Sequence, residues 1–213
     1  MQNERIMKRL IAIILFVCCN CSLIVAQSFN EIEAIQEISR VAASIKTLKC
    51  DFVQTKNLKM IGDKMVSKGV MYCSQPNQLR WEYLSPYTYT FILNENQVLL
   101  KKGSRNDIID VNQNKMFKEI ARIMMNSVLG KCLTDKKDFK VGLLNQDNSY
   151  IATLIPQKRE MKQMFEKIVL HYNRESSMIV KVDMYEKNGD NTIIELINIH
   201  KNNSVDASVY EIR

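Results

Sequence analysis

The chain shows a helical period first and then, for most of its length, a period of two. Between Phe29 and Ile45, the residues Ile32, Ile35, Ile38, Ala42 and Ile45 recur every three or four positions, with Glu31, Glu33, Glu37 and Arg40 on the other sides. That spacing predicts an amphipathic helix, with Asn30 as its cap. From Leu48 the alternation changes: Leu48, Cys50 and Phe52 alternate with Lys49 and Asp51, and past a Gly62-Asp63 turn Val66, Val70 and Tyr72 alternate with Ser67, Gly69 and Met71. Two strands of one hairpin are expected. Residues 77–84, 87–93 and 97–102 continue as strands, separated by Gln75-Pro76-Asn77, Ser85-Pro86 and Asn94-Glu95-Asn96.

A second helix is expected over residues 113–128, with Met116, Ile120, Ile123 and Met124 on one face, Phe117 and Met125 on the other side, and Gly130 as a stop. Strands then resume at 139–144, 150–156, 165–172, 178–185 and 192–201. Ten strands and two helices describe a mainly β, α+β chain. Consecutive antiparallel strands with so few helices predict one open, strongly curved antiparallel barrel, whose concave apolar face the helices cover because they have no other apolar surface to pack on.

The first 26 residues stand outside this plan. Arg5, Lys8 and Arg9 precede an apolar run from Leu10 to Val17, and small or apolar residues lead to Ala26, a pattern expected of a signal peptide cleaved before Gln27. The reading is therefore a leader over 1–26 and one domain over 27–213. Of the 213 residues and net charge of +7, removal of the leader leaves 187 residues at +5, since it takes three bases and Glu4. An exported chain of that charge points away from nucleic acid and toward anionic surfaces, although its lysines are scattered along the sequence.

Composition narrows the chemistry. At 46% hydrophobic with only 6 Gly and 3 Pro, the chain is neither disordered nor linker-rich. His171 and His200 have no companion cluster in sequence, and no nucleophile elbow, zinc motif or phosphate loop occurs, so an enzyme, a metal site and a cofactor are not expected. Cys50, Cys73 and Cys132 remain after the leader; Cys50 and Cys73 flank the first hairpin, where the register decides between a bridge and free thiols. The 12 methionines either fill a core or line a surface for flexible apolar ligands.

The order Phe52-Val53-Gln54, Gly62, Gly69, then Pro76-Asn77-Gln78-Leu79-Arg80-Trp81-Glu82-Tyr83 and Pro86, closed by Val205-Asp206-Ala207-Ser208-Val209-Tyr210, resembles the LolA family of periplasmic lipoprotein carriers. The resemblance implies a periplasmic monomer that shelters lipoprotein acyl chains in an apolar cavity on the way from inner to outer membrane. It also implies an ATP-driven inner-membrane transporter as donor and an outer-membrane receptor as acceptor. Phe52, Trp81, Tyr83, Phe91, Leu93, Met116, Ile120 and Met124 are the residues expected to line or cover that cavity, and Gln54, Gly69, Pro76, Leu79, Arg80, Glu82 and Pro86 carry the motif. Two departures are visible: Gln75 stands where many such carriers have an Arg that latches the lid, and the chain reaches Arg213 just past the closing motif. They leave two alternatives open, a carrier of another envelope lipid and an outer-membrane-anchored receptor of the same fold.

Overall fold

A computed structural model describes residues 29–113, 122, 125, 126, 131–135 and 137–212. The leader, and Met116, Ile120 and Met124 of the expected second helix, lie outside the described residues. Helix α1 spans Glu31–Ala43, and the Asn30 side chain accepts from the backbone N–H groups of Ile32 and Glu33 as its sequence predicts. Eleven strands follow: β1 Thr47–Leu58, β2 Asp63–Ser74, β3 Gln78–Ser85, β4 Tyr89–Asn94, β5 Gln97–Lys102, β6 Arg105–Asp110, β7 Phe139–Gln146, β8 Ser149–Pro156, β9 Phe165–Asn173, β10 Ile179–Glu186 and β11 Asn191–Lys201. A short helix, α2 (Arg159–Met164), joins β8 to β9.

All eleven strands form one antiparallel sheet in the order β6-β5-β4-β3-β2-β1-β11-β10-β9-β8-β7, with β6 and β7 at its free edges. Every neighbouring pair is consecutive in the chain except β1 with β11, which joins the two halves of the chain from Leu48↔Lys201 to Asn57↔Asn191. Strand β6 was not expected from the sequence. It pairs only with β5 and reads Arg-Asn-Asp-Ile-Ile-Asp, so it shows no clean alternation and places charge on an edge, where charge discourages pairing with other chains.

One face of the sheet is apolar nearly throughout. Leu48, Cys50 and Phe52 of β1, Met71 and Cys73 of β2, Leu79 and Trp81 of β3, and Phe91 and Leu93 of β4 join Leu154, Leu170 and Leu196 in one buried cluster. In β2 the inward set is Gly69, Met71 and Cys73, the opposite parity from Val66, Val70 and Tyr72. Parity fails there because the outer face is also covered: Tyr72, Ile92 and Leu99 pack against Val205, Val209 and Tyr210 of the C-terminal segment. Ala34 and Ile38 of α1 join the inner cluster, and Glu31 accepts from the Leu143 N–H on β7.

The sheet has to curl. Arg122 pairs with Asp138, just before β7, while Met125 lies 3.9 Å from the Cys73 sulfur on β2. Strands β2 and β7 are six spacings apart, about 29 Å in a flat sheet. Arg122 and Met125 are only three positions apart, at most about 11 Å along even a fully extended chain. So short a segment reaches both sites only if the sheet is curved.

Candidate functional site

The inner face is built from the aromatic residues of three adjacent strands. The Phe52 ring lies 4.3 Å from the Trp81 ring, centroid to centroid, and meets Tyr83 edge-on at 5.2 Å. Tyr83 in turn is 6.1 Å from Tyr89. This cluster depends on Gly69, which sits opposite Phe52 in the β1–β2 ladder and leaves the space that the Phe52 ring occupies. A side chain there would stand 2.6 Å from Phe52 Cε1, and nearer still to Phe52 Cζ and the Glu82 carbonyl oxygen.

Polar groups at this face are few. The Tyr83 hydroxyl donates to Gln54 Oε1 at 2.9 Å, and burial pushes its pKa up. The Trp81 indole N–H is buried beside it without a well-formed hydrogen bond. A surface of this kind offers area to hydrocarbon and little to a charged or sugar-like ligand. Phe52, Trp81, Phe91 and Leu93 are all buried, and Tyr83 packs against them, so these five sequence-chosen residues share one face. Met125, which the helical wheel places away from Met124, is buried at 5% exposure against the same cluster.

The segment Leu79-Arg80-Trp81-Glu82-Tyr83 divides its duties by parity. Leu79, Trp81 and Tyr83 point inward, while Arg80 and Glu82 pair at 2.8 Å on the outer face. There Arg80 Nη1 donates to the Val209 carbonyl at 3.2 Å, and Asn94 Nδ2 donates to the Tyr210 carbonyl at 3.1 Å. The Asp206 side chain caps the turn over Ala207–Tyr210 by accepting from the Ser208 N–H. The same strand thus presents aromatics inward and clamps the chain end outward. Arg80→Ala should release this clamp at a cost of about 1–1.5 kcal/mol, read as a lower urea midpoint and faster proteolysis near Val205–Val209. Unchanged proteolysis there would show that the tail is held by its apolar packing and Asn94, without Arg80.

Gln75 also has a defined role. Its Nε2 donates to the Ile45 carbonyl, and its backbone N–H donates to the Lys46 carbonyl at 2.9 Å, tying the β2–β3 turn to the exit of α1. Asn202 holds the same exit from the other side, accepting from the Lys46 N–H at 2.7 Å and donating to the Ser44 carbonyl at 3.1 Å. Sequence reasoning missed Asn202, because its partners lie more than 150 positions away.

The remaining chemistry is modest. Cys50 and Cys73 are free. Cys50 faces Met71 and Cys73 faces Leu48, so the two are diagonal neighbours on one side of the ladder and no bridge joins them. Burial pushes both thiols up to about 12, with Asp51 adding to the effect at Cys50, so each stays protonated and unreactive at neutral pH. His171 does have a partner, Asp183 Oδ2 at 2.8 Å, with Lys181 at 3.3 Å from the other oxygen. The three lie on the strand positions that alternate with inward Leu170 and Tyr172, away from the aromatic cluster. Among the described residues no three His, Cys, Asp or Glu side chains gather as metal ligands, and no helix is long and apolar enough to cross a membrane.

A family model described as outer membrane lipoprotein carrier protein LolA matches residues 43–213. The chain belongs to the LolA family. No curated protein matches the sequence. Among solved structures, an uncharacterized conserved protein from Thermus thermophilus is 10% identical with a TM-score of 0.51, over 85% of this chain and 94% of that one. MucB is 10% identical with a TM-score of 0.50, over 84% of this chain and 62% of its own. A DUF1329 family protein from Desulfovibrio piger is 12% identical with a TM-score of 0.48, over 86% of this chain and 98% of that one. At such identities the likeness is one of fold. The LolA match spans the residues of the aromatic cluster, the Arg80–Glu82 clamp and the closing segment.

Proposed function

We propose that this LolA-family chain is a periplasmic carrier of lipoprotein acyl chains, moving them from the inner to the outer membrane without chemistry of its own. The observation that carries the reading is the inner face: an open curled sheet whose concave side is apolar and aromatic, with α1 and the segment carrying Met125 set against it. In this reading α1 and the segment carrying Met125 form a movable cover over Phe52, Trp81, Tyr83, Phe91 and Leu93, with Gln75 and Asn202 holding the exit of α1. An acyl chain of about 15 methylenes gains over ~10 kcal/mol by leaving water. Exchange between bilayer and protein is nearly balanced, because both are apolar, so contacts with a donor and an acceptor can set its direction.

The donor in this reading is an ATP-driven inner-membrane transporter, and the acceptor is an outer-membrane receptor or the membrane itself. A carrier of a different envelope lipid would use the same face. Mass spectrometry of what copurifies with the processed chain separates them: acylated peptides support lipoprotein cargo, and free lipid alone overturns it. Trp81 is the only tryptophan and is packed on Phe52. A saturating acyl ligand should therefore shift its emission, and binding detected by another probe with no shift would place the ligand elsewhere.

A further inference from the structure

The two rims of the sheet differ sharply. At one rim, the turns around Asn77, Glu95, Asp147 and Arg174 carry no exposed large hydrophobic residue among those described. At the other, the tip of the β1–β2 hairpin exposes Met60 by 90% and Ile61 by 70%, the end of β3 exposes Leu84, and the β3–β4 turn exposes Tyr87 by 74%. Met65 and Val66 extend this apolar strip along β2. The hairpin projects, because Lys68↔Ser85 is the last β2–β3 pair and Asp63–Ser67 run on past β3 for about 17 Å. Gly62, at φ +65°, makes the turn that puts Met60 and Ile61 at the extremity.

Charge accompanies the apolar tip. Lys59, Lys64 and Lys68 are exposed along the hairpin, Lys101 and Lys102 lie at the end of β5, and Lys187 sits in the β10–β11 turn. Of the nearby acids, Asp190 accepts from the Lys59 N–H and Glu186 pairs with Lys56, while exposed Asp63 accepts from the Lys64 N–H and Asp107 pairs with Arg105, so the lysines outnumber the acids at this rim. Lysines scattered in sequence are thus gathered at one rim by the hairpin topology. Apolar side chains at an extremity with ammonium groups behind them match the layering of an anionic bilayer, hydrocarbon below and phosphate above.

We propose that the Met60-Ile61 hairpin, with Tyr87 and Leu84 beside it, docks the protein on an anionic membrane surface. The apolar tip enters the acyl boundary and Lys59, Lys64 and Lys68 meet lipid phosphates. Such docking would bring the open sheet to the bilayer at the moment of transfer. It goes beyond the carrier reading and does not require a particular cargo, since it can be measured on empty protein.

The test is co-sedimentation of the processed chain with vesicles of phosphatidylethanolamine and phosphatidylglycerol, and with phosphatidylcholine vesicles. Binding should be confined to the anionic vesicles and fall with salt. Met60→Asp with Ile61→Asp should reduce it by at least about tenfold, since each change puts a charge where an apolar side chain would enter the acyl boundary. Lys59→Glu with Lys64→Glu should reduce it similarly and flatten the salt dependence. Leu144→Asp, an exposed residue on β7, should leave it unchanged. A fluorophore on Met60→Cys should shift to the blue on anionic vesicles. Equal binding by the Asp tip variant, or retention on native membranes only when their proteins are intact, would overturn lipid docking. A chain that docks but takes up no acyl probe would leave docking standing and overturn the carrier reading instead.

Discussion

Gly69→Ala is expected to lower stability by about 3 kcal/mol or more, with a fall of roughly 1.5 M in the urea midpoint. The added methyl would meet two groups that cannot both withdraw. One is the Glu82 carbonyl oxygen, backbone of the adjacent strand β3 and fixed by its ladder. The other is the Phe52 ring, which Trp81 and Tyr83 hold at 4.3 and 5.2 Å. Relief by moving Phe52 would disturb the aromatic cluster and hence the inner face itself. A loss of this size is a large part of the 5–15 kcal/mol that holds an ordinary domain together. Phe52→Leu introduced together with Gly69→Ala should restore part of the loss, because a smaller, flexible side chain frees the ring's share of the space but not the carbonyl's. Wild-type stability in the single variant would mean that β2 and β3 separate here at little cost.

How much of this was legible in the sequence depends on how many faces of each element are buried. Helix α1 was readable because one stripe is apolar and Asn30 caps it. Strands β1 and β3 were readable because Phe52, Trp81 and Tyr83 alternate with polar residues, and the family motif fixed their order. Strand β2 misled by one residue: Tyr72 and Met71 are both apolar, and only the C-terminal segment lying on the outer face explains why each is covered. Strand β6 escaped because an edge strand with charge on both sides has no alternation to read. Contacts between distant positions, such as Asn202 with Lys46 or His171 with Asp183, follow from the β1–β11 closure and the register of β9 with β10. No local pattern encodes them.

The second large effect is expected at Asp138. This side chain is buried at 5% exposure and faces two cations, Arg122 at Oδ2 and Lys158 at 2.9 Å from Oδ1. Burial alone would raise its pKa, but the hydrogen bonds from Lys158 and Arg122 outweigh burial and hold the carboxyl below its usual value. Asp138→Asn keeps the shape and removes the charge, taking one anion from each cation, while Arg122 keeps its longer pair to Asp135 at 3.7 Å. Because Arg122 and Lys158 are themselves 28% and 38% exposed and regain water, the loss should be about 2 kcal/mol, below the 3–5 kcal/mol of a fully buried pair. The sign with pH follows from the lowered value. Stability from this carboxylate is fully present above the unfolded-state pKa of about 3.9 and is lost as pH falls through the lower folded value. The gap between wild type and Asp138→Asn should therefore be constant near neutrality and close in acid. The consequence for the inner face follows from the closeness of Arg122 to Met125 in the chain. With the Asp138 pair gone and the longer contact to Asp135 kept, the grip on the segment that also carries Met125 weakens, so acyl-probe exchange in Asp138→Asn should quicken, by up to about tenfold at pH 7. Stopped-flow exchange equal to wild type, together with the expected loss of stability, would show that the Arg122 segment does not gate the face, and that Asp138 serves only to fasten the start of β7.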